Sequence, residues 1–112
     1  MAHIGQAVTF SVVFTNGSGV ETDPTVVEFL LRENVVGVES YWVYNASPTE
    51  GIHYPTGANP IVKDSTGNYH VRWVTRNPER HVGFWDGSGN SVDQTSQTTQ
   101  LVRHSDLEAI DG

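Results

Sequence analysis

The sequence contains no cysteine, and only one of its 112 residues, Lys63, is a lysine. The absence of cysteine excludes disulfide bonds, thiolate zinc sites and a cysteine nucleophile. Six basic side chains stand against thirteen acidic ones, which gives a net charge of -7. Because a protein needs a basic face to neutralise phosphates, this balance disfavours nucleic acid as a partner.

Long apolar runs are also missing. The N-terminal residues 1–6 have neither a basic region nor an apolar stretch of about seven residues, so they do not resemble a secretory signal. No other stretch approaches the roughly twenty apolar residues that span a bilayer. The sequence therefore predicts a chain with no signal peptide and no membrane partner, which stays in the compartment where it is made.

β-Branched residues are abundant. The chain has sixteen valines and eleven threonines but only five alanines and four leucines. Such side chains are restricted in helices and pack well on pleated sheets, so the composition favours an all-β fold. A chain of this length forms one ordinary domain with one core.

Two segments, residues 7–15 and 69–76, show the strict alternation of a half-buried strand. Their apolar faces are Val8, Phe10, Val12 and Phe14 in the first, and Tyr69, Val71 and Trp73 in the second. A sandwich needs two inward faces that interdigitate. We expect these two strands to supply them from opposite sheets.

Further short stretches of this kind, separated by glycine, proline and asparagine turns, bring the number of strands to about seven. We place them at residues 7–15, 25–32, 38–45, 61–63, 69–76, 81–86 and 91–102, with a hairpin loop at 87–90. This spacing predicts an antiparallel β-sandwich in residues 1–102, followed by a charged tail in 103–112. An eight-stranded barrel is the alternative fold.

The strand at residues 38–45 carries aromatic side chains on both faces. Tyr41 and Val43 alternate with Trp42 and Tyr44, so we expect one face to join the core and the other to be at least partly exposed. Exposed aromatic rings of this kind have functional weight. In the strand at residues 25–32, Val27, Phe29 and Leu31 share one face, and we expect Val26 and Leu30 on the other face to pack under a loop.

One turn carries a resemblance to immunoglobulin-like domains. The run from Asp64 through Gly67 to Tyr69 resembles their Asp-x-Gly-x-Tyr corner, with one extra residue between the aspartate and the glycine. The resemblance implies that Gly67 takes a positive φ, that the Tyr69 hydroxyl bonds to upstream backbone, and that Val71 stands where antibody domains carry a cysteine. It makes the predicted sandwich immunoglobulin-like.

The order of several short motifs is more particular. They are Phe14-Thr15-Asn16-Gly17, Thr22-Asp23-Pro24-Thr25-Val26, Ser65-Thr66-Gly67-Asn68-Tyr69 and Gly83-Phe84-Trp85-Asp86-Gly87-Ser88-Gly89. Over Val8 to Val102 the chain is similar to small immunoglobulin-like proteins encoded in the structural gene blocks of tailed bacteriophages and prophages. It departs from them in the long connection 46–60 and in the acidic tail.

The phage resemblance implies a non-enzymatic virion structural protein. The first expectation is a head decoration protein that binds the major capsid protein on the outside of the shell. A head-tail, neck or tail component, bound to another virion protein, is an alternative. A second copy of the chain, in a homo-oligomer, is a further candidate partner. Virions assemble in the host cytoplasm and leave by lysis, which fits a chain with no leader.

Five ring-bearing side chains are candidates for an interface: Trp42, Tyr44, His53, Tyr54 and Trp85. Exposed aromatic rings stack on sugars or fill a partner's pocket. A carbohydrate-binding or adhesin module, with Trp42, Tyr44 and Trp85 as its platform and a glycan as its partner, is therefore the rival hypothesis. The alternative for each ring is simple burial.

Arginines form a second candidate surface. Strand alternation places Arg72 and Arg76 on one solvent face, with Arg80 close behind in the sequence. They would suit an acidic shell protein. Equally, they would balance glutamates on a neighbouring strand.

Signals for chemistry are weak. The run 86–90 has the alternating oxygen ligands of a calcium loop, but Ser91 replaces the required glycine and Gln97 the bidentate glutamate. The five histidines are scattered, and no Gly-x-Ser-x-Gly elbow is present. Asp86 and Asp93 could flank a loop as glycosidase carboxylates do, but thirteen acidic residues make such pairs by chance. The sequence thus predicts no catalytic residues, no metal, no cofactor and no enzyme.

Overall fold

The computed structural model describes residues 2–33, 39–46, 59–76 and 78–103. These residues form eight strands: β1 Ala2–His3, β2 Ala7–Val13, β3 Val26–Arg32, β4 Glu39–Val43, β5 Ile61–Ser65, β6 Asn68–Val74, β7 Glu79–Gly89 and β8 Val92–Arg103. In this part of the chain, no helix is long and apolar enough to cross a membrane. The residues of the predicted tail after Arg103 lie outside the described ranges.

The strands form two antiparallel sheets. One has the order β2-β6-β5 and the other β8-β7-β3-β4, and the two-residue β1 adds to β8 in parallel. Labelled A to G in the immunoglobulin manner, with β2 as strand B, these sheets are B-E-D and G-F-C with an added strand beside C. The prediction of an immunoglobulin-like sandwich of about seven main strands is confirmed.

Alternation along the strands decides which side chains enter the core. In β2 every second residue is buried, and β3 repeats the pattern, as predicted. The apolar core consists of Val8, Phe10, Val12, Phe14, Val27, Phe29, Leu31, Trp42, Ile61, Tyr69, Val71, Trp85, Val92 and Val102.

The partner of β2 differs from the prediction. Strands β2 and β6 do not face each other across the core but pair side by side, with Phe10 opposite Val71 in the register. The facing sheet contributes β3 and β7 instead. Each strand does have one inward apolar face, but alternation is the same whichever sheet a strand joins, so the pattern could not reveal the pairing.

Large aromatic rings fill the space between the sheets. The Phe10 and Phe29 ring centroids lie 5.7 Å apart across the core, and those of Phe29 and Trp85 lie 4.6 Å apart. Two glycines on the inner face of β7 make this possible. A Cβ on Gly83 would come within 2.5 Å of the Phe10 ring, and one on Gly87 equally close to the Phe14 ring.

The turn between β7 and β8 is tighter than predicted. The expected loop at 87–90 is mostly strand, and the reversal falls on Asn90 and Ser91, both with positive φ of 54° and 66°. Positive φ at both central residues is the type I′ geometry that matches strand twist. Asn90 tolerates this conformation well. The glycines at 87 and 89 made the predicted loop too long, because the strand continues through them up to the two turn residues.

Strand β2 is an edge strand that side chains of the other sheet protect. The Gln94 amide donates to the Val13 carbonyl at 2.8 Å and accepts from the Thr15 amide at 3.1 Å. Gln100 donates to the Thr9 carbonyl at 2.8 Å. These bonds occupy backbone groups that an unprotected edge would offer to another chain. The glutamines of β8 therefore close this side of the sandwich.

The glycines of β7 generate the first prediction. Gly83→Ala should lower the free energy of unfolding by about 1–3 kcal/mol, because a methyl group must displace two packed aromatic rings. Urea unfolding measures the change. The matched control is Gly17→Ala, at an exposed turn with open space around the new methyl group. Equal midpoints for the two variants would contradict the proposed packing role.

Candidate functional site

The predicted aromatic platform does not exist as a surface. Trp42 and Trp85 are 3% and 1% exposed and belong to the core, so the expectation that they face a partner is wrong. Tyr44 is half-buried, with its ring centroid 5.2 Å from that of Tyr69. His53 and Tyr54 lie outside the described residues. The rings were recognised from the sequence, but the sheet register turned the tryptophans inward.

The predicted arginine surface separates into two environments. Arg72 is exposed on the outer face of the three-stranded sheet. Arg76 lies beyond the end of β6, and its Nε donates to the buried Glu33 carboxylate at 3.2 Å. Its guanidinium also lies 5.4 Å from the centroid of the Trp73 ring. Arg76 therefore balances a glutamate, which was the alternative interpretation.

The predicted corner is organised by a residue that the sequence analysis did not select, Asp23. Its Oδ1 accepts hydrogen bonds from the Gly67 amide at 2.8 Å and the Tyr69 hydroxyl at 3.1 Å. Its Oδ2 lies 2.6 Å from Lys63 Nζ. Its backbone carbonyl accepts from the Asn90 side chain at 2.9 Å. Asp23 thus connects the β2–β3 connection to both the β5–β6 hairpin and the β7–β8 hairpin.

The corner therefore differs from the resemblance. Gly67 has the expected positive φ of 77°. However, the Tyr69 hydroxyl bonds to a side chain rather than to upstream backbone, and Asp64 pairs with His70 at 2.8 Å instead of joining the corner. Tyr69 and Val71 lie on β6, strand E, whereas the tyrosine corner and its cysteine belong to strand F. The same residue types, an aspartate, a glycine and a tyrosine at a turn, therefore occur here before strand E and in immunoglobulin-like domains before strand F.

Charge and burial shift the pKa values of the corner. The hydrogen bonds from Lys63 and from the Gly67 amide hold the pKa of Asp23 below its usual range. The same bond to Asp23 raises the pKa of Lys63. Burial, followed by the bond to Asp23, raises the pKa of Tyr69. The corner is thus built to keep Asp23 ionised and Tyr69 protonated.

The outer face of the four-stranded sheet carries the strongest candidate for a binding surface. We call it the sheet groove: a depression of about 670 Å³ lined mainly by β3, β4, β7 and β8. Its size lies within the range of ligand sites, about 300–1,000 Å³. The strand registers arrange the outward side chains of these four strands in three rows across the sheet, and the groove lies along their middle. In order along the groove they are Val43-Glu28-Asp86-Thr95, Tyr41-Leu30-Phe84-Gln97 and Glu39-Arg32-Val82-Thr99.

The middle row is apolar in three of its four residues, and Gln97 at its end is polar. Leu30 lies directly between Tyr41 and Phe84 in the register, and all three side chains are half-buried rather than covered. The aromatic residues on both faces of β4 indicated Tyr41. Leu30 was expected to pack under a loop, but it lies on the outer face of the sheet. Phe84 was not predicted as a site residue; its neighbour Trp85 was selected and faces the core.

The two outer rows carry charge. Glu28 and Asp86 lie directly opposite each other in neighbouring strands. The Tyr41 hydroxyl donates to Glu28 at 2.8 Å. Burial first, and then the Glu28 bond and the two negative charges, raise the pKa of Tyr41 to about 12. At the other end, Arg32 pairs with Glu39 at 2.8 Å.

Comparison with models of known protein families, with curated proteins and with solved structures finds no match to this chain. Among the described residues, no group of three histidine or acidic side chains is placed to hold a metal ion. The strand order and this surface together define an immunoglobulin-like sandwich whose four-stranded sheet carries a partly apolar groove.

The corner generates a pH prediction. A carboxylate whose pKa is lowered by folding stabilises the protein above its unfolded pKa of about 4, and loses that effect as the pH falls through the folded value. Asp23→Asn keeps an oxygen acceptor for Gly67 and Tyr69 but removes the charge. We expect it to lower the free energy of unfolding by about 0.5–1 kcal/mol at pH 7.

The difference between wild type and Asp23→Asn should stay constant above about pH 5 and shrink towards pH 2. Urea unfolding at each pH measures it. Asp93→Asn, which removes an exposed carboxylate of β8 outside the corner, is the matched control. A wild-type advantage that persists unchanged at pH 2 would refute the role of the Asp23 charge.

Proposed function

We propose that this protein is a non-enzymatic protein-binding module, and that the sheet groove is its binding surface. The observation that carries the proposal is the uncovered apolar row Tyr41-Leu30-Phe84 in the middle of a solvent-facing sheet. The outward face of an antiparallel sheet is ordinarily polar. Apolar side chains grouped there mark an interaction site.

The composition of the groove supports a protein partner. Protein interfaces are enriched in aromatic residues and arginine, with an apolar centre and a polar rim. Here Tyr41 and Phe84 lie at the centre, and the charged rows form the rim. A few such central rings generally carry most of the binding energy.

We further propose that the partner is a virion protein of a tailed bacteriophage, with the major capsid protein as the first choice. The support for this assignment is the resemblance of the motif order in residues 8–102 to phage structural proteins. The module would bind the outside of the assembled shell and add contacts between shell subunits. A neck or tail position differs from this mainly in copy number.

A glycan is the second candidate ligand. Burial of Trp42 and Trp85 removes the platform first expected. The sheet groove nevertheless places Tyr41 and Phe84 beside the carboxylates Glu28 and Asp86, and sugar sites combine aromatic stacking with polar groups that fix orientation. This combination favours testing glycans on the same surface.

Quantitative mass spectrometry of purified particles from the source tests the setting. We expect the protein in numbers near those of the major shell protein. A handful of copies would move the proposal to the neck or tail, and complete absence from particles would reject the virion assignment.

Binding to shells that lack the protein tests the surface. Phe84→Ala should weaken binding at least tenfold, since the ring is a central anchor. Val62→Ala removes an exposed apolar side chain from the other sheet and should bind like wild type. Equal affinity of the two variants would exclude the sheet groove. Binding of a glycan panel, with loss in Phe84→Ala, would favour the second candidate.

A further inference from the structure

We propose that the sheet groove receives an arginine side chain of the partner protein, with the guanidinium between Glu28 and Asp86 and its stem along the apolar row. This inference rests on the proposed function and names the chemistry that the partner presents. It follows from the charges in the groove.

The acidic row is electrostatically incomplete. Glu28 and Asp86 are direct cross-strand neighbours, and like charges in that position oppose each other. Within the described residues, no cationic side chain pairs with either of them. Arg32, the basic side chain nearest along β3, is engaged by Glu39. A guanidinium placed between the two carboxylates would remove the repulsion and form charge-assisted hydrogen bonds.

The other basic side chains of the chain cannot supply this cation. Lys63 pairs with Asp23 and Arg76 with Glu33. Arg72 lies on the other sheet. Arg80 is six residues along β7 from Asp86, a distance of about 20 Å in an extended strand. Arg103 ends β8, eight residues along that strand from Thr95, the register partner of Asp86, which is about 27 Å in an extended strand. Beyond the described ranges the sequence contains no lysine and no arginine.

The chain's own acidic segments are unsuitable occupants for the same reason. Residues 104–112 carry three carboxylates and one histidine. A second copy would bring another net charge of -7 to the same surface. Charge complementarity therefore favours a separate protein with a basic side chain at its contact surface.

The groove itself shows how an arginine fits such a place. The Arg32 guanidinium lies 5.2 Å from the centroid of the Phe84 ring while it bonds to the Glu39 carboxylate. Planar guanidinium groups combine stacking on aromatic faces with bidentate bonds to carboxylates. The acidic row offers the same combination, a carboxylate pair next to the Tyr41 ring, without its cation. A partner arginine would complete it.

The first test uses phage shells that lack the protein and the double variant Glu28→Gln, Asp86→Asn. We expect shell binding to weaken at least tenfold, while Asp93→Asn binds like wild type. Both substitutions relieve like-charge repulsion, and glutamine keeps an acceptor for Tyr41, so urea unfolding should show no loss of stability. Shell binding by the double variant at wild-type affinity would overturn the inference and leave the proposed function standing.

The second test does not depend on phage. Tyr41 and Phe84 ring signals are followed by NMR while the peptide acetyl-Ala-Arg-Ala-amide is added, and the same peptide with neutral citrulline is the control. Shifts with arginine alone, lost in the double variant, support the inference even if shells do not bind and the proposed function fails. Absence of shifts with the arginine peptide would overturn it. The inference would also be overturned if wild type sedimented as a dimer and the double variant as a monomer, because the occupant of the groove would then be a second copy.

Discussion

The carboxylate of Asp23 is the constraint on which one end of this sandwich depends. It belongs to the long connection between β2 and β3, which crosses from one sheet to the other. By accepting from Gly67 and Tyr69 and pairing with Lys63, it fastens that crossing to the β5–β6 hairpin. Its backbone carbonyl holds the side chain of Asn90 in the β7–β8 turn. The three loops at this end are therefore tied together through one residue, beside strands β3 and β7, which hold a fixed relation through their own register.

That relation determines the sheet groove. Once Phe29 and Trp85 pack together in the core, the period of two along each strand forces Leu30 and Phe84 to the opposite face. Glycines at 83 and 87 admit the rings of Phe10 and Phe14, so β7 can lie close to the core without distortion. Inner packing and outer surface are consequences of one register. The apolar row on the outside is therefore as well defined as the aromatic core beneath it.

Charge then distinguishes the two ends of the groove. At one end Arg32 and Glu39 satisfy each other, and Arg32 covers the Phe84 ring. At the other end, the like charges of Glu28 and Asp86 lie opposite each other, and the neutral Tyr41 hydroxyl donates a hydrogen bond to Glu28. The groove is apolar in the middle, neutralised at one end and negative at the other, so its two ends differ in charge. This polarity would admit the proposed partner in one orientation.

The sequence by itself determined the all-β class, the approximate strands and the inward faces of β2 and β3, because these follow from period-two alternation and turn residues that act locally. The turn motif around Gly67 also predicted the positive φ of that residue. Only the tertiary structure decided that β2 and β6 are neighbours, that Trp42 and Trp85 point inward, and that Asp23 replaces Asp64 in the corner. It also brought Glu28, Asp86, Leu30, Phe84 and Tyr41 together. These facts depend on contacts between residues far apart in the chain, and strand alternation is the same for every pairing that keeps an apolar face buried.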